Sequence, residues 1–152
     1  MIGIRDIATS FENKILLKEE WTHNAHIAVA FVELDTCKDF NKALNALRKK
    51  IREYNLSVGT ENTDSSGYHE TLTVFWLTVV NEFYSANGCG NIDDMYNSFT
   101  KAIFAFPKFP TLFYSKELLF SKTARNSWVE PDQLPISDIR EIVFKNMEQH
   151  II

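Results

Sequence analysis

Between Ile27 and Leu34 the chain reads Ile-Ala-Val-Ala-Phe-Val-Glu-Leu, apolar almost all the way round a helix. A helix without a polar face cannot lie on a surface, so other elements must surround it. The run is far short of the roughly 20 apolar residues that cross a membrane. The neighbouring segments supply the cover. Phe40, Ala43, Leu44, Leu47, Ile51 and Tyr54 recur at helical spacing, as do Tyr68, Leu72, Phe75, Trp76, Val79 and Phe83. Ile4, Ile7, Ala8 and Phe11 mark a shorter helix before them. Period-two alternation is almost absent, and five Gly and four Pro in 152 residues suit helices better than turns. At 45% hydrophobic residues the chain can bury one sizeable core. The expectation is an all-α, single-domain helical bundle of about five to six helices over 1–152.

Local signals suggest the boundaries. The buried helix is expected from Lys18 or Glu19 to Leu34, and Thr36 with Asp39 reads as the cap of the next. Ser57 to Gly67 is a polar loop, long for a helix–helix connection. The fourth helix follows it, capped by Ser66 or Gly67, and Asn87-Gly88-Cys89-Gly90 ends it. Asn91 caps a fifth helix over Ile92–Phe104. Pro107 to Pro135 is irregular, with short helical turns expected within Leu112–Leu119 and Ser121–Trp128. A last helix opens at Ser137, with Ile139, Ile142, Val143 and Met147 as its apolar side, and 136–152 reads as an accessory segment.

Charge narrows the function classes. A formal net charge of -4 offers no field for nucleic acid. The basic run Arg48-Lys49-Lys50 with Arg52 reads as the solvated face of an amphipathic helix. Cys37 and Cys89 have no metal or redox spacing and read as reduced thiols. With no signal-peptide pattern at Met1–Asp6 and no membrane-spanning run, the expected location is cytoplasmic. Phosphate-loop, dinucleotide, esterase and zincin motifs do not occur.

Chemistry concentrates at the histidines. Glu20, His23 and His26 are three residues apart, a ladder on one side of a helix. Glu-x-x-His also occurs in di-iron bundles, but such sites need two copies and further glutamates, and here there is one. His69 and Glu70 open the fourth helix in Gly-Tyr-His-Glu-Thr. If the two helix starts meet, His23, His26 and His69 become candidate ligands for one divalent metal ion, zinc or iron, with an open position. His69 and Glu70 are then candidate acid–base groups. Against this stand ordinary roles: core histidines satisfied by hydrogen bonds, and Glu70 as a first-turn acid. Trp21 and Trp76 read as core.

A third segment, Tyr114-Ser115 through Ser121, Ala124-Arg125 and Trp128-Val129-Glu130-Pro131-Asp132, mixes aromatic, hydroxyl and guanidinium groups. It is either a lid that sets Tyr114 and Arg125 at a pocket mouth, or a packing arm in which Arg125 pairs with Asp132 or Glu130.

Trp-Thr-His-x-Ala-His, Gly-Tyr-His-Glu-Thr and Tyr-Ser…Ser…Ala-Arg-x-x-Trp-Val-x-Pro-Asp together make the chain resemble a family of small uncharacterised bacterial helical proteins, from about Phe11 to Pro135. The resemblance implies no activity. It implies that His23, His26, His69, Glu70, Tyr114 and Arg125 belong to the part defining the group, and that the chain beyond Pro135 is peculiar to this member. Three functions stay open: a metal-binding pocket, a metal-free pocket for a small molecule, and an interaction module without chemistry.

Overall fold

The computed structural model describes residues 3–88 and 90–148; residues 1–2, Cys89 and 149–152 lie outside the described residues. It is all α-helical, with α1 (Ile4–Glu12), α2 (His23–Cys37), α3 (Phe40–Ser57), α4 (Glu70–Asn87), α5 (Ile92–Phe99), α6 (Lys116–Leu119), α7 (Lys122–Asn126) and α8 (Asp138–Glu148). Short 3-10 turns at Lys18–Glu20, Ile103–Ala105 and Phe109–Leu112 join them. No helix among the described residues is long and apolar enough to cross a membrane.

The all-round apolar run does become the centre. Ala25, Ile27 to Phe31 and Leu34 are buried on every side of α2, which packs against α1, α3, α4 and α5. Its one acid, Glu33, is buried because Lys50 of α3 reaches over it, the Nζ donating at 2.5 Å. The basic run on α3 is therefore a solvated face only in part, with Lys49 and Arg52 exposed and Arg48 and Lys50 turned to buried carboxylates. Lys50 pairs with Glu33 and Glu12, Arg48 with Glu70, and Arg52 lies 4.2 Å from the Tyr68 ring centre.

Several helix starts differ from expectation, each because a different side chain caps the backbone. Thr22 Oγ accepts from Ala25 N, so α2 begins at His23 and Glu20 belongs to a separate turn, where it accepts from Leu17 N. The Glu20–His23–His26 ladder is broken there. Asp39, not Thr36, caps α3, after Lys38 ends α2 in the left-handed region (φ 54°). His69, not Ser66 or Gly67, caps α4. Helix α5 stops at Phe99, five residues early, and the chain turns so that Phe104 packs on Phe99 at 5.2 Å between ring centres.

The irregular stretch is held by aromatic burial rather than by periodicity. Phe104, Phe109, Phe113 and Tyr114 are each at most 4% exposed, and Phe75 of α4 packs edge-on against Phe113 at 5.3 Å. Such pairs add about 0.5–1.5 kcal/mol beyond the area they bury. The C-terminal segment is not accessory: α8 packs on α4 with Ile139 and Val143 buried, and Arg140 donates to Glu82.

The polar loop is ordered by Asn62. Its Oδ1 accepts from Asn55 Nδ2 and Tyr68 N, both at 3.0 Å, and its Nδ2 donates to the Arg52 carbonyl. The backbone closes so tightly that a Cβ on Gly67 (φ 79°) would lie 2.5 Å from the Glu61 carbonyl oxygen. From the other side α7 fastens the loop: Arg125 donates to the Gly67 carbonyl, Asn126 to Asp64, and Lys122 pairs with Asp64.

Candidate functional site

Three helical stripes face one another across a cavity of about 500 Å³. Helix α2 contributes His23, His26 and Ala30; α3 contributes Leu47, Ile51 and Asn55; α4 contributes Leu72, Thr73, Trp76 and Leu77, with His69 at its cap. Spacings of three and four keep each set on one face. The polar loop forms the rim through Val58 and Thr60, and exposed Lys18 marks where the cavity reaches the surface.

All three sequence-selected histidines therefore line one cavity, but not as a ligand set. His69 is fully used. Its Nε2–H donates to the Leu119 carbonyl at 2.8 Å, and its Nδ1 accepts from Leu72 N at 3.1 Å. With one nitrogen donating and the other accepting, the ring is neutral and has no lone pair for a metal or a substrate proton. Burial and the nearby Arg125 charge hold its pKa below the ordinary value, against the pull of the Leu119 carbonyl. Among the described residues no group of three or more His, Cys, Asp or Glu side chains is arranged to hold a metal ion. The helix-capping geometry of His69 takes up the second nitrogen that the expected triad would use.

His23 and His26 are different. The Nε2–H of His23 donates to the Ala105 carbonyl and the Nδ1–H of His26 to the Thr22 carbonyl, both at 2.7 Å. Carbonyls only accept, so each bonded nitrogen carries the proton and the other ring nitrogen of the neutral imidazole carries a lone pair. Two indoles fix the rings. Trp21 stacks on His26 with centroids 3.7 Å apart, and Trp76 meets His23 at 4.6 Å and 63°. The two tryptophans are cavity wall, not only core. Burial lowers the pKa of His23, outweighing the Ala105 carbonyl, which favours the charged form. His26 is an exposed residue of the cavity wall, yet desolvation by the protein packed around it, with His23 nearby, holds its pKa below the ordinary value.

Glu70 stands outside the cavity wall. Arg48 Nε donates to both of its oxygens at 3.0 Å and Tyr68 Oη donates at 2.6 Å. Burial pushes this carboxyl up, but Arg48 and Tyr68 together hold it below the usual range. It is an anchor between α3 and α4 rather than an acid–base group. Arg125 and Tyr114 do not form a pocket mouth. Arg125 is spent on the Gly67 carbonyl, while Tyr114 is buried and donates to the Val129 carbonyl. The packing-arm reading fits this segment, with different partners from those expected: Asp132 accepts from Ser115 N and Oγ, and Glu130 from Trp128.

The wall residues missed by sequence reasoning, Lys18, Asn55, Thr60 and Thr73, had weak signals. Asn55 extends the Leu47–Ile51 spacing by one turn, and Thr73 lies one turn from Trp76–Leu77. No protein-family model, curated protein or solved structure matches this chain.

Proposed function

We propose that the protein binds a small, largely apolar molecule in the cavity between α2, α3 and α4, without a metal ion. The cavity itself carries this reading. Its volume of about 500 Å³ falls within the roughly 300–1,000 Å³ typical of small-molecule sites. Its wall is aliphatic and indole for the most part, with a few convergent polar groups, the composition such sites need.

The test is an NMR titration of untagged, chelator-treated protein with toluene and indole. Expected are saturable shifts at the Ala30, Leu47, Leu72 and Leu77 methyls and a raised melting temperature. Thr73→Trp, which fills the cavity, should abolish both while the variant stays folded. Absence of saturable shifts for either probe, or binding that returns only with added zinc or iron, would sink the reading.

A further inference from the structure

We infer that the molecule held in this cavity is a neutral hydrogen-bond donor, a hydroxyl or N–H on an aromatic or alicyclic body, accepted by Nδ1 of His23 or Nε2 of His26. The inference rests on the binding reading above and adds the chemical class of the ligand.

The tautomers carry it. Because the Ala105 and Thr22 carbonyls hold Nε2–H of His23 and Nδ1–H of His26, the nitrogens left over are acceptors. Flipping either ring would break its carbonyl bond and disturb its contact with Trp21 or Trp76, so the lone pairs are held in place. Nδ1 of His23 has no partner in the protein. Among the described residues no buried side-chain nitrogen or oxygen lacks a hydrogen bond, so this nitrogen is open to a visitor.

Among the described residues no side chain of the wall donates to these acceptors: Lys18, Thr60 and the indole N–H groups of Trp21 and Trp76 line the cavity without a hydrogen bond to either imidazole, and three other groups are engaged elsewhere. Thr73 Oγ1 donates to the His69 carbonyl, Tyr68 Oη to Glu70, and Asn55 Nδ2 to Asn62. A donor must therefore come with the ligand.

Charge excludes the other head groups. A carboxylate or phosphate would bring its own lone pairs against two imidazole lone pairs, and Lys18 at the rim is the one lysine or arginine of the wall to balance its charge. An ammonium would enter a wall that holds no aspartate or glutamate, past the Lys18 charge. Desolvating a charge without a counter-ion costs far more than one hydrogen bond returns. A neutral O–H or N–H meets neither penalty.

Four matched probes test this: p-cresol, 4-methylanisole, 4-methylbenzoate and 4-methylbenzylamine, titrated by NMR at pH 7.5 into the whole chain. The expected order has p-cresol about tenfold tighter than its methyl ether, as one neutral hydrogen bond allows, and both ions weakest. His26→Phe, which keeps a ring against Trp21, should narrow the gap between p-cresol and 4-methylanisole. In the unaltered protein, p-cresol should move the ¹⁵N resonance of an unprotonated imidazole nitrogen, a readout that does not depend on how any variant folds. Equal affinity for p-cresol and the ether, or tightest binding of either ion, overturns the donor assignment and leaves the cavity reading standing. No saturable shift with any probe overturns the cavity reading, and the assignment with it.

Discussion

The ring of His23 is tied through its Nε2–H to the carbonyl of Ala105, 2.7 Å away and 82 residues further along the chain. One bond thus joins the first residue of the buried helix to a 3-10 turn in a segment with no helical signal, and it decides which imidazole nitrogen keeps a free lone pair. At pH 7, ¹⁵N-detected imidazole spectra should show His23 as the Nε2–H tautomer and His26 as Nδ1–H. The opposite pair would mean that the acceptors face the backbone and the site is built differently.

His69 should behave as a cap. His69→Ala removes an N-cap and a buried bond to Leu119, an expected loss of about 2–3 kcal/mol in urea unfolding. His69→Asn can still accept from Leu72 N and should recover about 1 kcal/mol of that. Equal losses for the two variants would count against the capping role.

Acid should weaken the fold before most carboxylates titrate. The pKa values of His23, His26 and His69 are all lowered in the folded state. The unfolded chain therefore takes up protons first as pH falls, so stability is complete above about 6.5 and declines below it. Urea midpoints between pH 7.5 and 5 should fall accordingly, and His69→Asn should flatten the decline. A flat profile in the unaltered protein would contradict the lowered pKa values of these imidazoles.

Glu70→Gln should cost about 1–3 kcal/mol, since it weakens charge-assisted bonds from Arg48 and leaves that guanidinium short of a counter-charge. Because its folded pKa is depressed, the Glu70 contribution is present above the ordinary carboxylate pKa and lost as pH falls through the folded value. Probe binding in the cavity should persist in the variant. Loss of binding with stability intact would place Glu70 in the site after all.

The two loop glycines separate geometry from conformational freedom. Both Gly59 and Gly67 have positive φ, but only at Gly67 would a Cβ meet backbone, 2.5 Å from the Glu61 oxygen. Gly59→Ala should cost about 1 kcal/mol for its left-handed backbone, and Gly67→Ala clearly more. Similar melting temperatures for the two variants would show that the loop closes less tightly than the Asn62 bonds require.

What could be read in advance follows a single physical line. Helices α1, α2, α3, α4 and α8 announce themselves because an amphipathic or all-apolar helix must repeat its apolar residues at helical spacing. The cavity stripes on α3 and α4 use that same spacing and look like core, which hid their second role. Boundaries slipped where rival caps lay close together. Thr22 and Asp39 are common capping residues that sat beside equally plausible starts, whereas His69 is an unusual cap.

The sequence by itself determined the helical class, the central position of Ile27–Leu34 and the candidacy of His23, His26 and His69, because spacing and polarity are local properties of the chain. Tertiary structure alone decided what those histidines can do. Which nitrogen of an imidazole is protonated depends on what lies beside it, and the partners of His23 and His69, Ala105 and Leu119, are 82 and 50 residues away. No local pattern encodes those carbonyls. They took His69 out of the chemistry and left His23, with His26 held by its own cap carbonyl, as acceptors on the wall of a 500 Å³ cavity.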